Sequence, residues 1–147
     1  MVRGDELDAD VITEKITQGD FYSSSGVKLI DVVYNSKKQK LELLIEEEDG
    51  VTYTTKFIGT TSSADLSSKE KKSANGKKVT RIYSKDVGAV LATASGIHPT
   101  YQLKGDELYV RAVVTSTKPH GDPTLPGQTE QAWTQPVGWS VDQRRSR

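Results

Sequence analysis

Only two imidazoles, His98 and His120, are available for acid–base work or metal binding, and there is no cysteine to supply a thiolate. Neither histidine belongs to a His-x-x-x-His or His-Glu-x-x-His pattern, the spacings that aim two ligands at one zinc ion from one helix face. His98 stands before Pro99 at the start of a strand-like stretch and His120 in a Pro/Gly-rich segment. Both read as exposed loop histidines without the positioned partner a general base requires. No Gly-x-Ser-x-Gly elbow and no glycine-rich phosphate loop is written in the chain. The acidic run Glu46-Glu47-Glu48-Asp49 could attract a hard cation, but strand alternation sends adjacent side chains to opposite faces. Asp86 and Glu107 are the carboxylates a stand-alone hydrolase would use, with no neighbouring group in sequence to suggest convergence. The expectation is no catalytic, cofactor-binding or metal-ligating residue, and no cofactor.

Two further groups could bind rather than react. Trp133 and Trp139 offer flat faces of the kind that stack on sugar rings. Trp133 falls within a strand-like stretch and is expected in the core. Trp139, beyond Pro136 and Gly138, is left open between core and ligand platform. The clusters Lys69-Glu70-Lys71-Lys72 and Lys77-Lys78 could steer anions, and are expected simply to keep a loop solvated. Lys plus Arg equals Asp plus Glu at 20 each, so net charge gives a polyanion-binding role no support, and nucleic acid is not expected as a partner. No apolar run approaches the ~20 residues that span a bilayer, and no membrane partner is expected. The opening Met-Val-Arg-Gly-Asp-Glu-Leu-Asp lacks the basic-then-apolar pattern of a secretory signal.

The elements that must position these groups are mostly strands. Residues 8–19 read as one short helix, started by an Asp cap and ended by Gly19, with Ile12 and Ile16 on one face and Leu7 placed to staple its start. After Gly26 the strands are residues 27–34, 40–47, 51–59, 79–84, 87–94, 98–103, 108–117 and 130–137. Residues 27–34 and 40–47 form a hairpin. A three-residue loop with Gly50 left-handed pairs 40–47 with 51–59, setting Ile45 opposite Tyr53, Leu43 opposite Thr55 and Leu41 opposite Phe57. Leu41, Leu43, Ile45, Tyr53 and Phe57 are therefore expected in the core. A second hairpin sets Leu103 opposite Leu108 and Tyr101 opposite Val110. Residues 61–78 hold a single leucine among many Ser and Lys and read as a long, mobile polar loop. About eight strands with short turns imply an antiparallel, immunoglobulin-like β-sandwich carrying one short N-terminal helix.

Two stretches are more specific than composition. Val2-Arg3-Gly4-Asp5-Glu6-Leu7, the helix, and Gly19-Asp20-Phe21-Tyr22-Ser23-Ser24-Ser25-Gly26-Val27 form the first; Gly105-Asp106-Glu107-Leu108-Tyr109-Val110-Arg111-Ala112 with Ala132-Trp133-Thr134-Gln135-Pro136-Val137 forms the second. The first resembles the last strand and helix of the barrel in the PHP (polymerase and histidinol phosphatase) superfamily, whose phosphoesterase-like members end a helix in Gly-x-Phe-Tyr-x-Ser-x-Gly. The second resembles the β-sandwich appended after that barrel, which closes on a comparable Ala-Trp-x-x-Pro element. Together they cover nearly the whole chain.

The resemblance implies a division at 1–25, a remnant of an upstream domain; 26–140, the sandwich; and 141–147, a charged tail. The family's His, Asp and Glu metal ligands precede the region matching Met1, so none can be placed on a residue here. It implies a non-catalytic accessory sandwich of a metal-dependent phosphoesterase, partnered by an upstream catalytic domain, with residues 1–20 loosely packed in its absence. The alternative from a different class is an independent carbohydrate- or protein-binding module.

Overall fold

A computed structural model describes residues 1–2 and 8–139. The staple expected of Leu7, the motif residues 3–7 and the tail at 141–147 lie outside the described residues. The fold is a mainly β, antiparallel sandwich with one short helix. The elements are α1 (Ala9–Gln18), β1 (Tyr22–Ser24), β2 (Leu29–Asn35), β3 (Lys40–Ile45), β4 (Tyr53–Thr61), β5 (Ser68–Lys72), β6 (Lys78–Tyr83), β7 (Ala89–Ser95), β8 (Thr100–Gln102), β9 (Glu107–Pro119) and β10 (Thr129–Thr134).

The helix begins and ends where its caps dictate. The Asp8 carboxylate accepts hydrogen bonds from the N–H groups of Asp10 and Val11 at 2.9 and 3.1 Å, satisfying two donors that the first turn leaves without intrahelical partners. Gly19 takes a left-handed φ of 79°, and the Gly19 and Asp20 N–H groups return to the Ile16 and Lys15 carbonyls. No residue of the helix is buried; Val11 and Ile12 are half-buried and Ile16 is 49% exposed.

One sheet has five strands in the order β1-β10-β9-β4-β7, and the other has three, β2-β3-β8. Strand alternation aims one side chain in two at the space between the sheets. From the small sheet come Leu29, Leu41, Leu43, Ile45 and Tyr101; from the large one, Tyr53, Phe57, Val110, Ala112, Val114 and Ala132, all buried. Phe57 on β4 and Tyr101 on β8 stack across that space with ring centroids 5.2 Å apart, tying the two sheets together.

Two expected pairings are corrected. β2 and β3 do form a hairpin, with Val32 opposite Leu43 and Tyr34 opposite Leu41. β3 and β4, however, lie in different sheets: β4 pairs with β9 and β7, and β3 pairs with β2 and β8. Residues 46–52 therefore form an arch over the edge of the core, and Gly50 is left-handed within it at φ 75°. Likewise β8 and β9 are not a hairpin; β8 pairs with β3, and the chain crosses to the large sheet between Gln102 and Glu107. The inward residues are nonetheless those expected, because an arch sets them face to face across the core while a hairpin sets them side by side along it. Both bury the same side chains.

Residues 61–78 are also corrected. They are not loop throughout: β5 pairs with β6 in a two-stranded ribbon of its own, with Ser68 opposite Tyr83 and Glu70 opposite Arg81. Neither face of this ribbon is buried, so no apolar alternation marks β5.

Candidate functional site

The concave surface richest in aromatic side chains lies on the outer face of the five-stranded sheet. On β10, Ala132 and Thr134 are buried, so Trp133 between them projects outward. On β9, Val110 and Ala112 are buried, so Tyr109 and Arg111 share the outward side with Trp133. Pro136 has no N–H and interrupts the ladder; Val137 resumes it, exchanging hydrogen bonds with Val110 at 2.8 and 2.9 Å. Gly138 then turns the chain at φ 79°, where an added Cβ would stand 2.7 Å from Leu103 Cδ2. Glycine suits that left-handed φ, where any other residue would be strained and would press on Leu103, and the turn delivers Trp139 to the same groove.

The groove holds about 1260 Å³. Its floor is Trp133, Tyr109 and Arg111, one wall is the end of α1 at Ile16–Gly19 with Phe21, and the opposite wall is Leu66 and Val87 at the base of the ribbon. Trp133 is half-buried and Trp139 is 47% exposed. Trp133 is thus corrected from core residue to groove floor, since the small residues Ala132 and Thr134 hold the inward positions. A signal for this exists in the sequence: Gln131, Trp133 and Gln135 share one parity, and two glutamines argue for the wet face. The groove offers aromatic faces, and Arg111 lacks an ion-pair partner among the described residues. It can hold a ligand by stacking and by a bidentate hydrogen bond to an anionic or polar group.

The carboxylates do not assemble with it. Glu107 is buried at the start of β9, where its Oε1 accepts from the Tyr101 hydroxyl at 2.8 Å and its two oxygens accept from the Lys104 and Gly105 N–H groups at 3.0–3.1 Å. Burial pushes this carboxyl up, but the Tyr101 and backbone hydrogen bonds outweigh that and hold it below the ordinary glutamate value. Burial raises the Tyr101 phenol, and its bond to Glu107 raises it further. Both groups brace the turn between β8 and β9. Asp86 accepts from the Asp65 N–H at 3.1 Å at the base of the ribbon, a turn-fixing contact.

The remaining expected candidates are dispersed. His120 Nδ1 accepts from the Asp122 N–H at 3.0 Å within its own loop. His98 is exposed and borders a shallow hollow on the outer face of the small sheet, with Asp31 and Glu42. Within the acidic run, Glu46 pairs with Lys28 at 3.0 Å and Glu48 with Lys118 at 2.8 Å. Among the described residues no three His, Asp or Glu side chains converge to hold a metal ion. Of the residues singled out in the sequence, the structure brings Trp133 and Trp139 to one groove and joins the two lysine clusters on the β5–β6 ribbon.

No family model matches the chain, and no curated protein and no solved structure matches it either.

Proposed function

We propose that this chain is a non-catalytic accessory β-sandwich of a PHP-like metal-dependent phosphoesterase, acting by contact with a catalytic domain that precedes it in the parent polypeptide. The observation that carries this reading is the aromatic groove with α1 as its wall. A ten-residue amphipathic helix is marginal by itself, and this one buries no residue while leaving Ile16, Phe21 and Trp139 around an apolar depression. A partner packed on that side covers the helix and the groove together. The likeness of Gly19–Val27 and Ala132–Val137 to the junction and close of the family's sandwich supports the same reading, because those two motifs supply Phe21 and Trp133.

The test is to extend the reading frame upstream of Met1 and express the longer polypeptide. His-rich barrel segments ahead of Met1, with Trp139 shielded from iodide quenching relative to the 147-residue chain, are expected. An in-frame stop close upstream, or quenching unchanged in the longer protein, contradicts it.

A second reading, an independent carbohydrate-binding module, is favoured by one observation: both tryptophans line the same groove beside Arg111. Tryptophan fluorescence titrated with a panel of neutral and acidic oligosaccharides distinguishes it. A saturable shift lost in Trp133→Ala supports sugar binding, and a flat response removes it.

A further inference from the structure

The β5–β6 ribbon stands apart from both sheets, pairs with neither, and exposes every residue of β6. Its base is fixed. The Ser84 N–H donates to the Ser67 carbonyl at 3.2 Å, the Ser84 hydroxyl donates to the Asp65 carbonyl, and the Asp65 N–H donates to Asp86. The ribbon carries Lys69, Lys71, Lys72, Lys77, Lys78 and Arg81 against the single acid Glu70, which Lys78 already pairs. Since the whole chain has no net charge, the rest of the molecule is acidic by the same margin. Lys69, Lys71, Lys72 and Lys77 have no ion-pair partner among the described residues.

Register sorts these cations by face. Residues opposite one another share a side of a two-stranded ribbon, so Lys69 goes with Ile82 and Lys71 with Thr80, while Glu70 and Arg81 lie on the other side. One face therefore presents lysines and an isoleucine with no acid. On that face Ile82 is 56% exposed; Tyr83, opposite Ser68, is on the side of Glu70 and Arg81.

We propose that this ribbon docks on an anionic lipid surface through its acid-free face, Lys69 and Lys71 against the phosphate and carboxylate headgroups and Ile82 between them in the headgroup–acyl boundary. Positive charge beside exposed apolar side chains is the combination that interface rewards. Duplex nucleic acid fits less well: phosphate contact gives Ile82 nothing to do, and base readout favours arginine, of which the ribbon has one, on the other face. The absence of a spanning segment, on which the expectation of no membrane partner rested, has no bearing on a peripheral contact. This inference is independent of the accessory role.

Co-sedimentation of the full chain with vesicles tests it. Binding to phosphatidylcholine–phosphatidylserine vesicles is expected, with none to phosphatidylcholine alone and release at high salt. Lys69→Ser/Lys71→Ser should weaken partitioning about fivefold per lysine, and Ile82→Ser should weaken it on the same vesicles. Both variants should keep the parent thermal midpoint, because the altered side chains are exposed. No binding to the anionic vesicles, equal binding to both kinds, an unchanged Ile82→Ser variant, or displacement from the vesicles by duplex DNA would each overturn the proposal.

Discussion

At the residue scale, polar groups in the interior decide more than apolar ones. Glu107 is a buried charge that avoids a desolvation penalty because the Tyr101 hydroxyl and two backbone N–H groups surround its oxygens. Replacing it by Gln leaves those donors with a weaker, half-suitable acceptor, and urea denaturation should show a loss of about 1–3 kcal/mol. The pH dependence follows from the direction of its shift. Because the folded carboxyl lies below the unfolded value of about 4.3, its stabilising contribution is complete above that value. It disappears as pH falls through the lower folded value. Thermal midpoints followed down through that acid range should drop in the parent chain and drop less in Glu107→Gln; parallel curves would contradict the assignment. Thr55 is the opposite case. Its side chain is fully buried, and Oγ1 has no hydrogen-bond partner among the described residues. Thr55→Val keeps the shape and removes the stranded hydroxyl, so it should stabilise by about 1–2 kcal/mol; a destabilised variant would imply a partner for that oxygen.

At the element scale the two sheets are held by what meets between them. The Phe57–Tyr101 stack joins β4 to β8, and a double-mutant cycle with alanine at both positions should return a coupling of about 0.5–1.5 kcal/mol. A coupling near zero would mean the rings only fill space. This joint also marks the limit of the sequence reading. Alternation named Leu41, Leu43, Ile45, Tyr53 and Phe57 as inward, and all five are buried. It could not say that β3 and β4 belong to different sheets, because side-chain parity specifies a face and is silent about the neighbouring strand. Cap chemistry was more explicit: Asp8 and Gly19 bound the helix as their types require. Asp8→Ala should lower the stability of α1 by about 1 kcal/mol, seen as faster amide exchange over its first turn in the polypeptide extended upstream of Met1. The ribbon strand β5 stayed hidden because both its faces are wet, leaving neither a period of two nor a period of 3.6 to detect.

At the scale of the whole molecule, the sandwich interior is closed and the outer face of the large sheet is not. The groove was partly legible. Both tryptophans stood out by type, but the parity that puts Trp133 beside Gln131 and Gln135 on the outer face was outweighed by its mid-strand position. The contributions of α1 and Val87 come from distant parts of the chain, and no local pattern announces that they will meet there. Every wall of that groove is an element whose inner side is already satisfied or, for α1, an element with no buried residue at all. Hydrogen exchange of the 147-residue chain, compared with the polypeptide extended upstream of Met1, tests this most directly. The account predicts that α1 amides exchange quickly in the shorter chain, close to the rate of an unstructured segment, and at least about a hundredfold more slowly in the longer one. Equal protection in both, at the level of the core strands, would contradict it.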